Sequence, residues 1–314
     1  MAPMTRKKSP GRSPTITVAE HYRRRAAGGV GLIITEGTLV DHPLASADSD
    51  IPQITPATVD AWRGVVDAVH REGAGVFLQL CHQGPVARPG ISATRVMENG
   101  REVVAKADSQ QEQSLADAFV RSADSARAAG FDGVELHGAH AYLLDSFLRA
   151  GRVDYLCDVV NETRSGVGAE LILALRFSQW TVRDHAARQF DSPQQLERAL
   201  LPLKEAGIDV FHASTRRFWV PEFADSDLNL AGWTRNITDA PTITVGNIGL
   251  VTSQFCGDGP ESAGELQRRF DRGEFDMAAI GRPLISDAEW CDKVRDGRTD
   301  AIVDYTSEAN EIYP

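Results

Sequence analysis

Short, uninterrupted apolar runs alternate with helix-period segments along nearly the whole chain, and this alternation limits the folds open to it. The runs read as strands are Val30–Glu36, Gly75–Leu80, Gly133–Leu136, Leu171–Phe177, Asp209–Ala213, Thr242–Val245 and Met277–Ile280. The helical segments are Val18–Ala27, Pro56–Glu72, Gln111–Ala129, Asp145–Leu156, Pro193–Ala206, Glu261–Asp271 and Ala288–Val294. Apolar strands separated by helical crossovers predict a parallel sheet buried on both faces. Regular βα alternation over 314 residues predicts a (β/α)8 TIM barrel occupying residues 1–314 as a single domain. A doubly wound sheet is the weaker alternative, since no GxGxxG turn follows the first run. Seven strands can be counted. The missing one is the first: Met1-Ala2-Pro3-Met4-Thr5 reads as the end of a strand whose beginning is absent, and one reading is that Met1 is an internal methionine. The polar stretch Arg88–Gln110 is expected to be a loop and the most mobile segment, and Arg216–Asp227 a second long excursion.

The net charge of −11 disfavours nucleic acid and anionic lipid as partners. No segment is apolar and long enough to span a bilayer, and the basic N-terminus lacks the apolar core of a secretory signal. Cys81, Cys157, Cys256 and Cys291 are scattered, without a CxxC pair, which fits a reducing cytoplasm and gives no sign of a metal centre.

Polar residues gather where the strands end, and in a parallel barrel that end is the active face. The run Gly133-Val134-Glu135-Leu136-His137-Gly138-Ala139-His140-Ala141-Tyr142 carries the densest chemistry. His137 and His140 are three apart, so one helical turn would set both imidazoles on one side. With Tyr142 beside them they could hold a substrate oxygen and deliver a proton. The same two histidines with His82 could instead bind a metal in a barrel hydrolase, or could simply be satisfied structural residues. Val245-Gly246-Asn247 and Ile280-Gly281-Arg282 end the last two strands, where backbone N–H groups and a guanidinium suit a phosphate. Arg176 ends another apolar strand and needs a partner, either an anionic ligand or an acid such as Glu135. Gln79 offers a paired donor and acceptor for a heteroaromatic edge. Thr5 and Gly37 lie near other strand ends.

Together these segments resemble the old yellow enzyme family of NADH:flavin oxidoreductases. The match runs through Ala2-Pro3-Met4-Thr5-Arg6, Ile34-Thr35-Glu36-Gly37-Thr38, Gln79-Leu80-Cys81-His82, the HGAH-x-YLLD run, Leu175-Arg176-Phe177-Ser178, Val245-Gly246-Asn247 and Ile280-Gly281-Arg282-Pro283. The resemblance implies a TIM barrel that carries FMN at the C-terminal ends of its strands and reduces the C=C bond of α,β-unsaturated carbonyl compounds. Pro3, Met4 and Thr5 would lie along the flavin ring, Gly37 and Gln79 would bond its polar edge, and Arg176 would face N1 and O2. Gly246, Asn247, Gly281 and Arg282 would hold the phosphate. His137 and His140 would bind the substrate carbonyl, hydride would come from flavin N5, Tyr142 would supply the proton, and NADH or NADPH would re-reduce the flavin. The partners implied are a small enone-type substrate and a possible second copy of the chain. Relative to the family pattern the hairpin and most of the first strand before Met1 are missing, and the loops after the Gln79 and HGAH strands are short. Cys81, Pro85 and Ala141 stand where an aromatic, Arg and Gly are usual. A decayed barrel that no longer holds FMN is the competing reading.

Overall fold

The computed structural model describes residues 1–250 and 262–313, so Cys256 and the start of the Glu261–Asp271 helix lie outside the described residues. In chain order the helices and strands are α1 (Ile16–Ala27), β1 (Leu32–Ile34), β2 (Thr38–Leu39), α2 (Val59–His70), β3 (Gly75–Cys81), β4 (Gly90–Ser92), β5 (Val96–Glu98), β6 (Arg101–Lys106), α3 (Ser109–Ala129), β7 (Gly133–His140), α4 (Leu143–Arg149), α5 (Val153–Val167), β8 (Ile172–Thr181), α6 (Pro193–Ala206), β9 (Val210–Ser214), α7 (Leu230–Thr238), β10 (Thr242–Val245), α8 (Ser262–Asp271), β11 (Met277–Ala278), α9 (Pro283–Ser286) and α10 (Trp290–Arg295). The main sheet is wholly parallel, in the order β1-β3-β7-β8-β9-β10-β11, with β2 also on β3. No described helix is long and apolar enough to cross a membrane.

Local chemistry explains several boundaries. Asp108 and Gln111 form a reciprocal capping box at the start of α3, and left-handed Gly130 ends it. Ser192 caps α6, Pro193 opens it and Gly207 closes it. Three expectations need correction. The single helix Asp145–Leu156 is two, broken around Gly151 at φ 73°. The stretch Arg88–Gln110 is largely a small three-stranded sheet, β4-β6-β5, where the abundance of polar residues pointed to a loop. Helix α7 was not anticipated, although Asn229 caps it through a 2.8 Å bond from the Gly232 N–H.

The barrel interior is layered. Ala2, Ile34, Phe77, Ala174, Val210, Ile243 and Ala279 form an apolar cluster apart from the larger core under the helices. Gly133 has no side chain because Phe77 is there: a Cβ would sit 2.7 Å from its ring. Two residues further along three of these strands, on the same inward face, stand Gln79, Arg176 and His212.

Met1 and Ala2 lie between β1 and the segment that follows β11. The Met1 amino group donates to Leu32 O at 2.6 Å, Ile34 N donates to Met1 O at 3.2 Å, and Ala2 N donates to Ile280 O at 2.8 Å. Below this stub the seam between β1 and β11 is a mostly apolar cavity of about 350 Å³, lined by Met1, Leu32, Ile34, Ile243, Met277 and Cys291 among others.

The segment after the stub is tethered from two sides. Glu36 Oε2 accepts from the backbone N–H groups of Arg6 at 2.7 Å and Lys7 at 3.2 Å. The Arg6 guanidinium donates to the carbonyls of Asn310 and Ile312, while Tyr313 stacks on His21 at 4.5 Å. Burial pushes the Glu36 carboxyl from 4.5 up to about 7, against the two N–H groups that pull it down. The folded chain therefore holds a proton that the unfolded chain has lost between those values. That contribution to stability is present below pH 4.5 and disappears as pH rises through 7. Glu36→Gln keeps an acceptor for Arg6 and should flatten this part of the stability–pH curve. Urea midpoints across the window for both proteins check it; an unchanged slope in the variant would place the titration elsewhere.

Candidate active site

The strand ends converge on one crevice. Its narrow part, about 130 Å³, is lined by Pro3, Thr5, Gly37, Gln79, Cys81, His137, His140, Tyr142 and Arg176 among others. Its wider part, about 290 Å³, is lined by Pro3, Met4, Arg176, Gly246, Asn247, Gly281 and Arg282 among others. Pro3 and Arg176 belong to both. All thirteen residues selected from the sequence for catalysis or cofactor binding thus line a single crevice.

The floor is a polar layer organised by Glu135, which is fully buried. Its Oε1 accepts from Gln79 Nε2 at 2.7 Å, and its Oε2 lies 2.6 Å from His212 Nδ1. The first bond turns the Gln79 amide oxygen toward Gly37. Burial opposes the Glu135 charge, but His212, Arg176 and Gln79 outweigh it and keep the carboxyl below its ordinary range. Arg176 does not form the direct ion pair with Glu135 that the sequence allowed. It donates through one Nη to Ser214 Oγ at 3.3 Å, while its Nε is buried without a partner.

His137 and His140 do come together, with ring centroids 5.3 Å apart, but not by a helical turn. Both lie on β7, where residues three apart point to opposite faces. An irregularity in the β7–β8 register between Gly138 and His140, with His140 and Ala141 at φ 65° and 67°, turns the second imidazole back toward the first. The His140 N–H donates to Ser178 Oγ at 3.0 Å and its Nε2 lies 2.9 Å from Ser214 Oγ. Burial, aided by the Arg176 charge, pushes His137 down to about 3 and His140 well below the usual histidine range. Both are therefore neutral, with one ring N–H each. Tyr142 packs edge-on against His137 at 4.7 Å, and burial raises its phenol to about 12.

At the other end Arg282 donates to Asn247 Oδ1 at 2.7 Å. Gly246 has φ 153°, and a Cβ there would lie 2.5 Å from Thr215 Oγ1, so the turn bearing the crevice N–H groups accepts only glycine.

His82 stands apart from this group. Its Nε2 meets His42 Nδ1 at 3.1 Å and its Nδ1 accepts from Gly84 N at 3.0 Å, so both ring nitrogens are engaged. Among the described residues no cluster of three or more His, Cys, Asp or Glu is placed to hold a metal. The hydrolase built on His82, His137 and His140 has no assembled centre.

Trp180 was not selected from the sequence. It stacks on His140 at 4.1 Å and its Nε1 donates to Ser214 O at 3.2 Å. The signal was present, since period-two alternation carries Arg176 and Ser178 on to Trp180. Ser214, at the end of β9, joins His140, Arg176 and Trp180. Arg149 holds the Trp180 segment by donating to the carbonyls of Ser178 and Gln179 while its Nε bonds Asp145 Oδ2 at 2.8 Å.

Comparison with known proteins decides the family. The NADH:flavin oxidoreductase / NADH oxidase family matches residues 1–301. The chain belongs to this family. An NADH oxidase of Thermoanaerobacter brockii is 28% identical over 90% of this chain and 46% of its own length. A putative 12-oxophytodienoate reductase 2 of Oryza sativa subsp. japonica is 36% identical over 57% of this chain and 49% of its own. The chain spans about half the length of these curated relatives. Among solved structures, morphinone reductase superposes with a TM-score of 0.80 at 23% identity, covering 99% of this chain and 88% of the other. The old yellow enzyme homologue of Zymomonas mobilis gives 0.77 at 22% identity, covering 100% and 94%. These two likenesses carry the barrel fold.

Ala141 holds a left-handed backbone that costs an L-residue roughly 1–2 kcal/mol, so Ala141→Gly should stabilise the folded chain by about 0.5–1 kcal/mol once the extra freedom of the unfolded glycine is offset. Chemical denaturation of the two proteins measures this, and a destabilised variant would contradict it.

Proposed function

We propose that the chain is an FMN-dependent ene-reductase, a single barrel unit that reduces the C=C bond of small α,β-unsaturated carbonyl compounds with NADH or NADPH as reductant. The carrying observation is a pair of buried nitrogens without partners, Arg176 Nε and His137 Nδ1, on residues that line the crevice. An unpaired buried donor costs about 1–3 kcal/mol, so FMN, with acceptors along its ring edge, fits beside Arg176, and a carbonyl oxygen fits at His137. The glycine-flanked N–H groups and Arg282 at the wider end suit that group's phosphate.

Gly246, Asn247, Gly281 and Arg282 would hold the phosphate, Arg176 the N1 and O2 edge, Gly37 and Gln79 the opposite polar edge, and Pro3, Met4 and Thr5 the ring. Bound FMN supplies hydride to an electron-poor carbon and takes it from a nicotinamide. The chain's own groups prepare the substrate. His137 and His140 are neutral donors beside the position of the carbonyl oxygen, where negative charge grows as hydride arrives. His140 keeps Nε2 on Ser214, leaving Nδ1 as the nitrogen for a ligand. Tyr142 stays protonated across the working range, because its phenol titrates at about 12, and can pass that proton to the α-carbon. The cytoplasm is the proposed site of action, consistent with the free thiols of Cys81, Cys157 and Cys291.

The cavity at the seam favours one competing reading, a barrel too open to retain FMN. The visible spectrum of the purified chain with and without added FMN separates the two. A shifted, protein-bound flavin spectrum supports the enzyme, and a protein that leaves added FMN unchanged supports the decayed barrel. In the flavin-loaded protein Tyr142→Phe should slow oxidation by an enone by about 10²-fold or more, with flavin binding and reduction by nicotinamide intact. Stopped-flow traces of both half-reactions check it; normal enone turnover in the variant would remove Tyr142 as proton donor.

A further inference from the structure

A second cavity, about 270 Å³, adjoins the crevice and shares Trp180, Ser214, Thr215 and Arg216 with it. Its remaining wall includes Arg188, Arg217 and Glu222. Glu222 is already engaged, accepting from Arg188 at 2.8 Å and from Gln179 Nε2 at 2.8 Å. Arg216 and Arg217 make no side-chain hydrogen bond or ion pair among the described residues. The Arg216 guanidinium lies 5.3 Å from the Trp180 ring centre, the same indole that stacks on His140. Partial desolvation lowers Arg216, and the charged neighbours acting on it are Arg282 and Arg217, both cations.

Arg216 and Arg217 are both exposed at this cavity, and no acid among the described residues pairs with either, in a chain whose net charge is −11. Such a pair repels itself and gains from an anion. We propose that this cavity binds a phosphate of the nicotinamide dinucleotide, with Arg217 as its outer cation and Arg216, held on Trp180, as its inner one. The inference rests on the ene-reductase reading, which requires a polyanionic reductant to approach an acidic protein. A local cationic pair beside the crevice offsets that repulsion where the nicotinamide must enter. A neutral enone has no group that would use two guanidinium ions.

The test uses the FMN-loaded protein, with NADP⁺ and NAD⁺ binding followed by tryptophan fluorescence and flavin reduction followed by absorbance. Arg217→Glu should raise the Kd of NADP⁺ by about tenfold or more, Arg217→Lys by no more than about threefold, in line with the loss or retention of one charge-assisted bond. FMN affinity and affinity for a neutral enone should not move, which separates the effect from misfolding. A larger loss for NADP⁺ than for NAD⁺ assigns the pocket to the 2′-phosphate, and equal losses assign it to the diphosphate; either supports the proposal. An unchanged dinucleotide Kd in Arg217→Glu overturns it. So does an unchanged Kd accompanied by weaker binding of a carboxylate-bearing enone, which would give the pocket to the substrate. A wild-type protein that holds FMN and is reduced by dithionite but by neither nicotinamide would overturn the ene-reductase reading itself.

Discussion

The Glu135 carboxylate holds the interior of the barrel in register. It lies on β7, takes a hydrogen bond from Gln79 on β3, pairs with His212 on β9 and sets a negative charge near Arg176 on β8. Four strands are thereby joined above the apolar layer. A buried guanidinium without a counter-charge would be strongly unfavourable, and a buried carboxylate without donors equally so. Each makes the other tolerable, and together they place a cation and an oriented amide at the crevice floor. The fixed amide matters because Gln79 can present its oxygen to Gly37 only while its nitrogen is held by Glu135.

The roof and one side of the crevice depend on a different device. Pro3, Met4 and Thr5 belong to a short segment with no secondary structure of its own. Hydrogen bonds of Met1 and Ala2 to β1 and to Ile280, the Glu36 carboxylate, and the reach of Arg6 to the carbonyls near residue 310 keep it in place. The main-chain bonds of Met1 and Ala2 link β1 to Ile280. The cavity beneath them is mostly apolar, and an unfilled apolar space lowers stability with its volume. The placement of Pro3, Met4 and Thr5 in the crevice and the integrity of the seam therefore depend on the same few residues.

Short loops shape the substrate side. The break after α4 directs Arg149 onto the carbonyls of the β8 extension, and this sets Trp180 against His140. Ser214 then links the imidazole, the guanidinium and the indole. The histidine pair, the Arg176 guanidinium and the Trp180 indole are thus one packed unit.

The βα periodicity and polar strand tips pointed to the barrel class, and the family resemblance carried by the HGAH-x-YLLD run and the other matching segments completed the selection of thirteen residues that line the crevice. These are properties of local pattern: apolar runs bury on both faces, and side chains at strand ends must face the opening. Tertiary structure decided what local pattern could not. Three-residue spacing suggested a helical turn for His137 and His140, whereas a bulge fixed by the neighbouring strand brings them together. His82 was separated from the pair because His42, distant in sequence, occupies one of its ring nitrogens. Strand β6, with Arg101 and Lys106 at its ends, reads as loop until β4 and β5 pair with it. Trp180, Ser214 and the adjacent Arg216 and Arg217 gained meaning only from what packs beside them, because charge balance and stacking are properties of neighbours in space.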